Sequence, residues 1–103
     1  MRIMTKRTVA RYAEQYPKAR RPLFDWYRLA ESASWASPND VKATLGNASI
    51  INAERAVFNI HGNDYCLVAA IDYGRQWLFV KWFGTHADYD AIDVATITWD
   101  APS

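Results

Sequence analysis

The side chains that could do chemistry in this sequence are an imidazole, a phenol and several cations near the ends of predicted strands. They are His86, Tyr89, Lys81, Arg55 and, on a predicted short helix, Lys42. An imidazole titrates near neutral pH, so it can either take or give a proton. Cations stabilise the negative charge on a phosphorus centre under attack. These groups favour metal-free cleavage of RNA, in which a 2′-hydroxyl loses a proton and the departing 5′-oxygen gains one.

Each of these residues also has an interpretation without chemistry, and the residues alone leave both open. His86 could be an exposed residue in the first turn of a helix, and Tyr89 could belong to the core. Lys81 could extend past its aromatic neighbours into solvent, and Arg55 could be a surface charge at the end of a hairpin. The sequence contains no nucleophile elbow, glycine-rich phosphate loop or metal-ligand spacing, so we expect no metal ion and no cofactor.

The chain is long enough to bury one hydrophobic core, and we expect residues 1–103 to form a single domain. Half of its 103 residues are hydrophobic, which suffices for such a core. Cys66 is the one cysteine, so an internal disulfide is excluded and a reducing cytoplasm is expected. The longest apolar run, residues 66–71, is too short to span a bilayer, and we expect neither secretion nor a membrane location.

The charge of the sequence is unevenly distributed, although its formal net charge is only +1. Residues 1–28 contain eight basic and two acidic side chains, a net charge of +6, so the rest of the chain carries −5. Such polarity is expected where one face of a protein meets a polyanion such as RNA. A solvated helical surface would show the same pattern.

The predicted elements follow an order typical of the α+β class, with helices in the first half and strands in the second. After a short strand at residues 2–5, apolar stripes at helical spacing predict two amphipathic helices. The first ends at Pro17, and the second opens near Pro22. A third, short helix is predicted at residues 41–45, behind a capping box that opens at Ser37.

Three β-branched or aromatic runs predict antiparallel strands joined by short turns, at residues 56–60, 65–72 and 77–83. In the last run, simple alternation places Trp82 on the same face as Leu78 and Val80. Lys81 then lies among aromatic side chains on the opposite face.

A second capping box, Thr85-His86-Ala87-Asp88, predicts a short turn or helix that contains Tyr89. Residues 94–99 could add a strand or lie across the sheet. We therefore expect two N-terminal helices packed on a twisted, mainly antiparallel sheet of three to four strands.

From Ser37 onward the sequence resembles the HigB toxin family, within the wider RelE-like group. The segments that carry the resemblance are residues 37–43, 47–50, 57–60, 62–63, 84–90 and 92–93. The most specific of them is Thr-His-x-x-Tyr-Asp at residues 85–90. Tyr16-Pro17, Leu23 and Trp26-Tyr27 extend the resemblance into the N-terminal helices, so that it covers nearly the whole chain.

The resemblance implies a RelE-like fold and a ribosome-dependent toxin that cleaves messenger RNA in the A site without a metal. It also implies a partner, a HigA-like helix-turn-helix antitoxin. The toxin would contact operator DNA only through this antitoxin. It places His86 and Tyr89 at the RNA-cleaving end of the sheet. We expect Lys81 and Arg55 to hold or polarise phosphate there. The residues expected to contact RNA are Lys42, Asn59, Asn63 and Arg75.

One position departs from the pattern of the family. Members commonly read Gly-Asn-x-Tyr-Arg-Leu-Val, whereas this chain has Cys66 in place of the arginine. A neutral thiol cannot give phosphate a charge-assisted hydrogen bond, and the loss of one such group costs on the order of 100-fold in rate. Arg55, Lys81 or Arg75 could compensate.

Three functions therefore stay open. The first is a messenger RNA endonuclease, either impaired by Cys66 or compensated by Arg55, Lys81 or Arg75. The second is a weakened or inactive toxin fold that only binds the antitoxin or the ribosome. The third is a protein that acts on DNA gyrase, against which the pair of His86 and Tyr89 argues.

Overall fold

A computed structural model describes residues 1–98 of the chain. In order, its elements are β1 Arg2–Ile3, α1 Lys6–Gln15, α2 Arg20–Ser32, α3 Pro38–Thr44, β2 Ser49–Ile50, β3 Arg55–Ile60, β4 Tyr65–Asp72, β5 Trp77–Thr85 and α4 His86–Tyr89. A 3-10 turn, Pro17–Ala19, joins α1 to α2. The α+β class predicted from the sequence is confirmed.

The strands form one mixed sheet in the order β1-β5-β4-β3-β2. Its centre is an antiparallel meander of β3, β4 and β5, and β1 pairs with β5 in parallel. The prediction of three to four strands was one short, because the sheet also includes β2, which pairs with β3. With only two residues, β2 is too short to show an alternating pattern.

Two helices cover the inner face of the sheet, as the sequence predicts. Their buried residues, Val9 and Ala13 of α1 and Leu23 and Trp26 of α2, join the main core. α2 begins two residues before Pro22, which costs no hydrogen bond there because the first four N–H groups of a helix lack helical partners. Within residues 1–98, no helix is long and apolar enough to cross a membrane.

A bulge in β5 changes the sides on which its last residues lie. Val68 pairs with Trp82, but the next residue, Ala69, pairs with Val80. Lys81 is therefore an extra residue of β5 without a partner on β4. A bulge of this kind interrupts the alternation of faces. Phe83 therefore belongs to the main core, whereas Trp82 packs on the outer face. The prediction that Trp82 shares a face with Leu78 and Val80 was wrong because it assumed an unbroken alternation.

The chain after α4 covers one end of the outer face. A small buried cluster lies there, formed by Val57, Cys66 and Val68. The side chains packed on this outer-face cluster from beyond β5 are Tyr89, Ile92, Val94 and Ile97. Because they remove this part of the sheet from water, the outer face is divided into a covered end and an open end.

Arg55 holds this covering segment, residues 90–98, in place. Its Nη1 donates to the carbonyl oxygen of Val94 at 3.1 Å and to that of Ile97. Of the two alternatives for residues 94–99, the described part lies across the sheet and adds no strand. Trp99 lies outside the described residues.

Replacement of Gly84 by alanine should destabilise the protein, because the Trp82 ring occupies the space that a side chain needs. A Cβ at Gly84 would lie 2.7 Å from two carbon atoms of that ring. We expect Gly84→Ala to lower the free energy of unfolding by about 1–3 kcal/mol, measured by urea denaturation.

Gly46→Ala is the matched control, since nothing lies within 4 Å of its Cβ position. Its free energy of unfolding should change by less than about 1 kcal/mol. Wild-type stability of Gly84→Ala would contradict the packing of Trp82 over Gly84.

Candidate active site

The candidate site begins where β5 ends and α4 starts. Thr85 caps α4, and its Oγ1 accepts a hydrogen bond from the backbone N–H of Asp88 at 3.1 Å, as the capping box predicts. The backbone N–H of His86 donates to the carbonyl oxygen of Asp64, in the β3–β4 turn, at 3.0 Å. These bonds fix the backbone around His86, while its imidazole remains exposed. A polymer in solution can therefore reach this ring.

Tyr89 connects His86 to the outer face of the sheet. The ring centroids of His86 and Tyr89 are 5.9 Å apart, and those of Tyr89 and Trp82 are 6.3 Å apart. Burial, aided by the nearby Cys66 and Asp90, raises the pKa of the Tyr89 phenol above its usual value of 10.0. A phenol with such a pKa is protonated at neutral pH, so it carries a proton that it can give but does not act as a base.

Cys66 lies in the covered outer-face cluster together with Tyr89. The residue is 1% exposed, and its Sγ donates a weak hydrogen bond to Oδ1 of Asn59 at 3.7 Å. Burial, with a smaller effect from the Asp90 carboxylate, raises the pKa of this thiol. The thiol is therefore neutral at physiological pH and supplies no positive charge where the family resemblance implies an arginine.

Asn59 connects this cluster with the loop between α3 and β2. Its Nδ2 donates to the carbonyl oxygen of Asn47 at 3.4 Å. Nζ of Lys42, on α3, donates to the carbonyl oxygen of Ala48 in the same loop. The structure thus brings two of the predicted RNA contacts, Asn59 and the exposed Lys42, to one loop beside Cys66.

Lys81 and Arg55 direct their charges away from this group. Nζ of Lys81 lies 5.5 Å from the centre of the Phe79 ring, and Phe79 and Arg55 both pair with Ala70. At about 3.3 Å per residue, that row of the sheet lies about 13 Å along β3 from Asn59. Arg55 is engaged by the covering segment. The structure therefore does not bring these two cations together with His86.

Asn63 and Arg75 lie at opposite ends of the sheet. Asn63 is exposed in the β3–β4 turn, beside Asp64 and hence close to His86. Arg75 is in the β4–β5 turn, where its Nη1 lies 3.9 Å from Oδ2 of Asp72. β4 separates the two turns by about 23 Å at 3.3 Å per residue. Arg75 is too distant to replace the missing cation at Cys66.

Trp82 and Asp64 are site residues that the sequence analysis did not single out. Trp82 contacts the Tyr89 ring, but no signal in the sequence marks the bulge that turns it outward. The carbonyl oxygen of Asp64 accepts a hydrogen bond from the His86 N–H. Because this bond involves only the backbone, the side-chain type at position 64 does not predict it.

The eight basic side chains of residues 1–28 are all exposed on or beside α1 and α2. They are Arg2, Lys6, Arg7, Arg11, Lys18, Arg20, Arg21 and Arg28. These helices cover the inner face, whereas Tyr89 packs on the outer face. Most of this basic surface therefore lies on the side of the sheet opposite Tyr89, where it could contact a polyanion, but Arg11 of α1 lines a cavity together with Trp82 and Asp88 at the edge of the candidate active site.

Taken together, the site offers an exposed imidazole beside a half-buried, protonated phenol, and Lys42 of α3 bonds to the loop that Asn59 contacts. Such a pair can take one proton and give another at the two oxygens of a phosphodiester. Among the described residues, no group of three or more His, Cys, Asp or Glu side chains is placed to hold a metal ion.

Comparison with known proteins gives a consistent result. Residues 19–92 match the family HigB_toxin, described as the RelE-like toxic component of a toxin-antitoxin system. The mRNA interferase HigB of Escherichia coli strain CFT073 is 24% identical over 94 residues, which are 89% of this chain and 91% of that protein. The mRNA interferase toxin HigB of E. coli K12 is 26% identical over 93 residues, 87% of this chain and 88% of that protein.

The Cys66 thiol should react slowly with thiol reagents in the native protein, because its surroundings exclude reagent and its raised pKa lowers the fraction of thiolate. We expect Ellman's reagent to label native protein at pH 8 about 100-fold more slowly than protein unfolded in urea. Since Cys66 is the one cysteine, the absorbance change reports it directly. Equal rates in the two states would show that the thiol is accessible and the covering segment open.

Proposed function

Because the chain belongs to the HigB toxin family, the RelE-like toxic component of a toxin-antitoxin system, we propose that it is a ribosome-dependent endonuclease that cleaves messenger RNA in the A site. The observation that carries the proposal is the contact between the exposed His86 imidazole and the half-buried Tyr89 phenol. Relatives named mRNA interferase that cover about nine-tenths of the chain support RNA as the substrate.

In the proposed mechanism, His86 and Tyr89 divide the two proton transfers. His86 takes the proton of the 2′-hydroxyl, whose oxygen attacks the adjacent phosphorus. The bond from phosphorus to the 5′-oxygen breaks, and Tyr89 gives that oxygen a proton. The products are a 2′,3′-cyclic phosphate and a 5′-hydroxyl. Tyr89 can serve as the proton donor because its phenol, with a pKa raised above 10.0, is protonated at neutral pH, and no step requires a metal ion.

Lys42 and Lys81 are the cations proposed to hold the phosphate. Both have long, flexible side chains. Lys81 is half-exposed, and its ammonium group contacts the Phe79 ring. Such a contact is worth only about 0.5–1 kcal/mol, so Lys81 can leave it for a phosphate. Arg55 enters the proposal as a positioning residue that holds the covering segment, and Asn59 and Asn63 as RNA contacts beside the site.

Arg75 enters the proposal only as an RNA contact distant from the scissile bond. The exposed basic surface of α1 and α2 would meet ribosomal RNA, to which Arg75 could add a separate contact. Inhibition would come from a HigA-like helix-turn-helix antitoxin, which would also provide the only route to operator DNA. Action on translating ribosomes would place the protein in the cytoplasm.

Loss of either proposed proton-transfer group should abolish cleavage. We expect His86→Ala and Tyr89→Phe each to slow A-site cleavage by purified protein by at least about 100-fold, measured by primer extension on stalled ribosomes. Tyr27→Phe is the matched control, because Tyr27 is a half-buried tyrosine of α2 on the other side of the sheet. Unchanged cleavage by the folded His86→Ala protein would refute the mechanism.

An arginine at position 66 should increase activity. It would place a cation next to Tyr89, with Asp90 close enough to pair with it, since Asp90 affects the pKa of the present thiol. We expect Cys66→Arg to cleave about 100-fold faster than the wild type in the same assay. Cys66→Ala should match the wild type, because the neutral thiol contributes no charge. A folded Cys66→Arg protein with wild-type activity would contradict this account.

Cys66 also favours a second function, binding without cleavage. Because Cys66 is buried and neutral, the chain could be a toxin fold that binds the antitoxin or the ribosome without cleaving RNA. In that case the purified protein sediments with ribosomes, and His86→Ala, Tyr89→Phe and the wild type give identical, uncleaved messenger RNA.

A further inference from the structure

We propose that a cavity next to the candidate active site binds one nucleobase of the RNA strand. The cavity has a volume of about 210 Å³ and lies between α2, the loop after α3 and the end of β3. It is smaller than the ~300–1,000 Å³ sites that hold drug-sized ligands, so it suits a single ring system. The inference rests on the proposed function in one respect, namely that RNA is the polymer that supplies the base.

The walls of the cavity suit a flat, largely apolar ring. Trp26 and Phe58 form part of the lining, with ring centroids 5.3 Å apart and planes inclined by 56°. Leu29 and Leu45 add aliphatic surface on the side of the helices. Proteins that recognise unpaired RNA bases hold them against aromatic side chains in this way.

The same cavity is bordered by groups that can read the edge of a base. Asn47 and Asn59 contribute carboxamides, which both donate and accept hydrogen bonds. His61 also lines it, and its Nδ1 is bonded to Oδ2 of Asp64 at 2.9 Å, so Nε2 is the ring nitrogen that a ligand would meet. A carboxylate, Asp25, can accept from an exocyclic amino group.

A buried donor without an acceptor gives independent support for a polar ligand. Trp26 is 6% exposed, and its Nε1 has no hydrogen-bond partner within residues 1–98. Such an unsatisfied group in a native structure calls for an explanation. Nε1 itself is shielded from solvent, but the indole belongs to the cavity wall, so a small turn of the ring would bring Nε1 against the carbonyl and ring-nitrogen acceptors of a base in the cavity. An aliphatic side chain would leave the donor unpaired.

The position of the cavity connects it with the candidate active site. Asn59 takes part in both, since it lines the cavity and also accepts from the Cys66 thiol. Asp64 likewise bonds His61 through its side chain and His86 through its carbonyl oxygen. A strand whose scissile phosphate lies at His86 would therefore have a neighbouring nucleotide near the β3–β4 turn, where its base can enter the cavity.

Binding of the four nucleoside 5′-monophosphates to the intact protein tests the inference. The probe is the indole N–H resonance of Trp26 in a 1H–15N spectrum, assigned by its loss in Trp26→Phe. We expect at least one nucleotide to move this resonance and to bind about 10-fold or more tightly than ribose 5-phosphate, the gain expected from one stacked base.

Two filling variants provide the matched comparison. Leu45→Phe, at a half-buried position of the cavity wall, should weaken the binding of that nucleotide by about 10-fold or more. A third variant, Asn47→Ala, removes a carboxamide from an exposed position of the same wall and should also weaken binding. It keeps the test decisive if Leu45→Phe fails to fold. Ala53→Phe fills a different cavity beside Phe79 and should leave binding unchanged.

The inference is overturned if no nucleotide moves the Trp26 resonance more than ribose 5-phosphate does. It is also overturned if N-acetyl-leucine amide moves it equally, because the cavity would then accept an apolar side chain of a protein partner. These results are independent of cleavage on ribosomes. Cleavage without nucleotide binding would refute the nucleobase site and leave the proposed nuclease function standing. Nucleotide binding without cleavage would support the nucleobase site and refute the nuclease function.

Discussion

The packing of residues 90–98 on the outer face of the sheet is the interaction on which the candidate site depends. Without it, Val57, Cys66 and Val68 would be exposed to water on the open side of the meander. The covering segment removes this apolar surface from solvent, and Tyr89, which packs on the same cluster, has a phenol pKa that burial raises. The exposed His86 ring then lies at the border between the covered cluster and water. The two rings in contact therefore have different environments, since Tyr89 is half-buried and His86 is exposed.

The structure also separates the proposed proton-transfer groups from two of the predicted cations. His86, Tyr89 and the neutral Cys66 occupy one end of the sheet, whereas Arg55 and the Lys81 ammonium lie near the row of Ala70. In the proposed mechanism, a phosphodiester at His86 therefore depends on Lys42 and on movement of Lys81 for charge stabilisation. Under the proposed mechanism this arrangement predicts slow cleavage, since such stabilisation is usually the largest single contribution to the rate.

The sequence predicts those features that depend on local periodicity and capping. The two amphipathic helices, the three long strands and the Thr85 cap follow from side-chain spacing and are present. The bulge at Lys81 depends on the fit of β5 to its neighbour, so the outward side of Trp82 could not be read from alternation. The capping box at Ser37 was only half correct, because Ser37 makes no side-chain cap bond while Asp40 accepts from the Ala36 N–H. The distances of Arg55 and Arg75 from His86 depend on strand register, which residue type does not encode.

The central claim is that His86 and Tyr89 cleave RNA by using the 2′-hydroxyl as the nucleophile. It is tested most directly with a ribosome-bound messenger that carries a single 2′-deoxynucleotide on the 5′ side of the scissile bond. The account predicts that the all-ribose messenger yields a 2′,3′-cyclic phosphate end and that the substituted messenger stays intact. Cleavage of both messengers at the same bond and the same rate would contradict it.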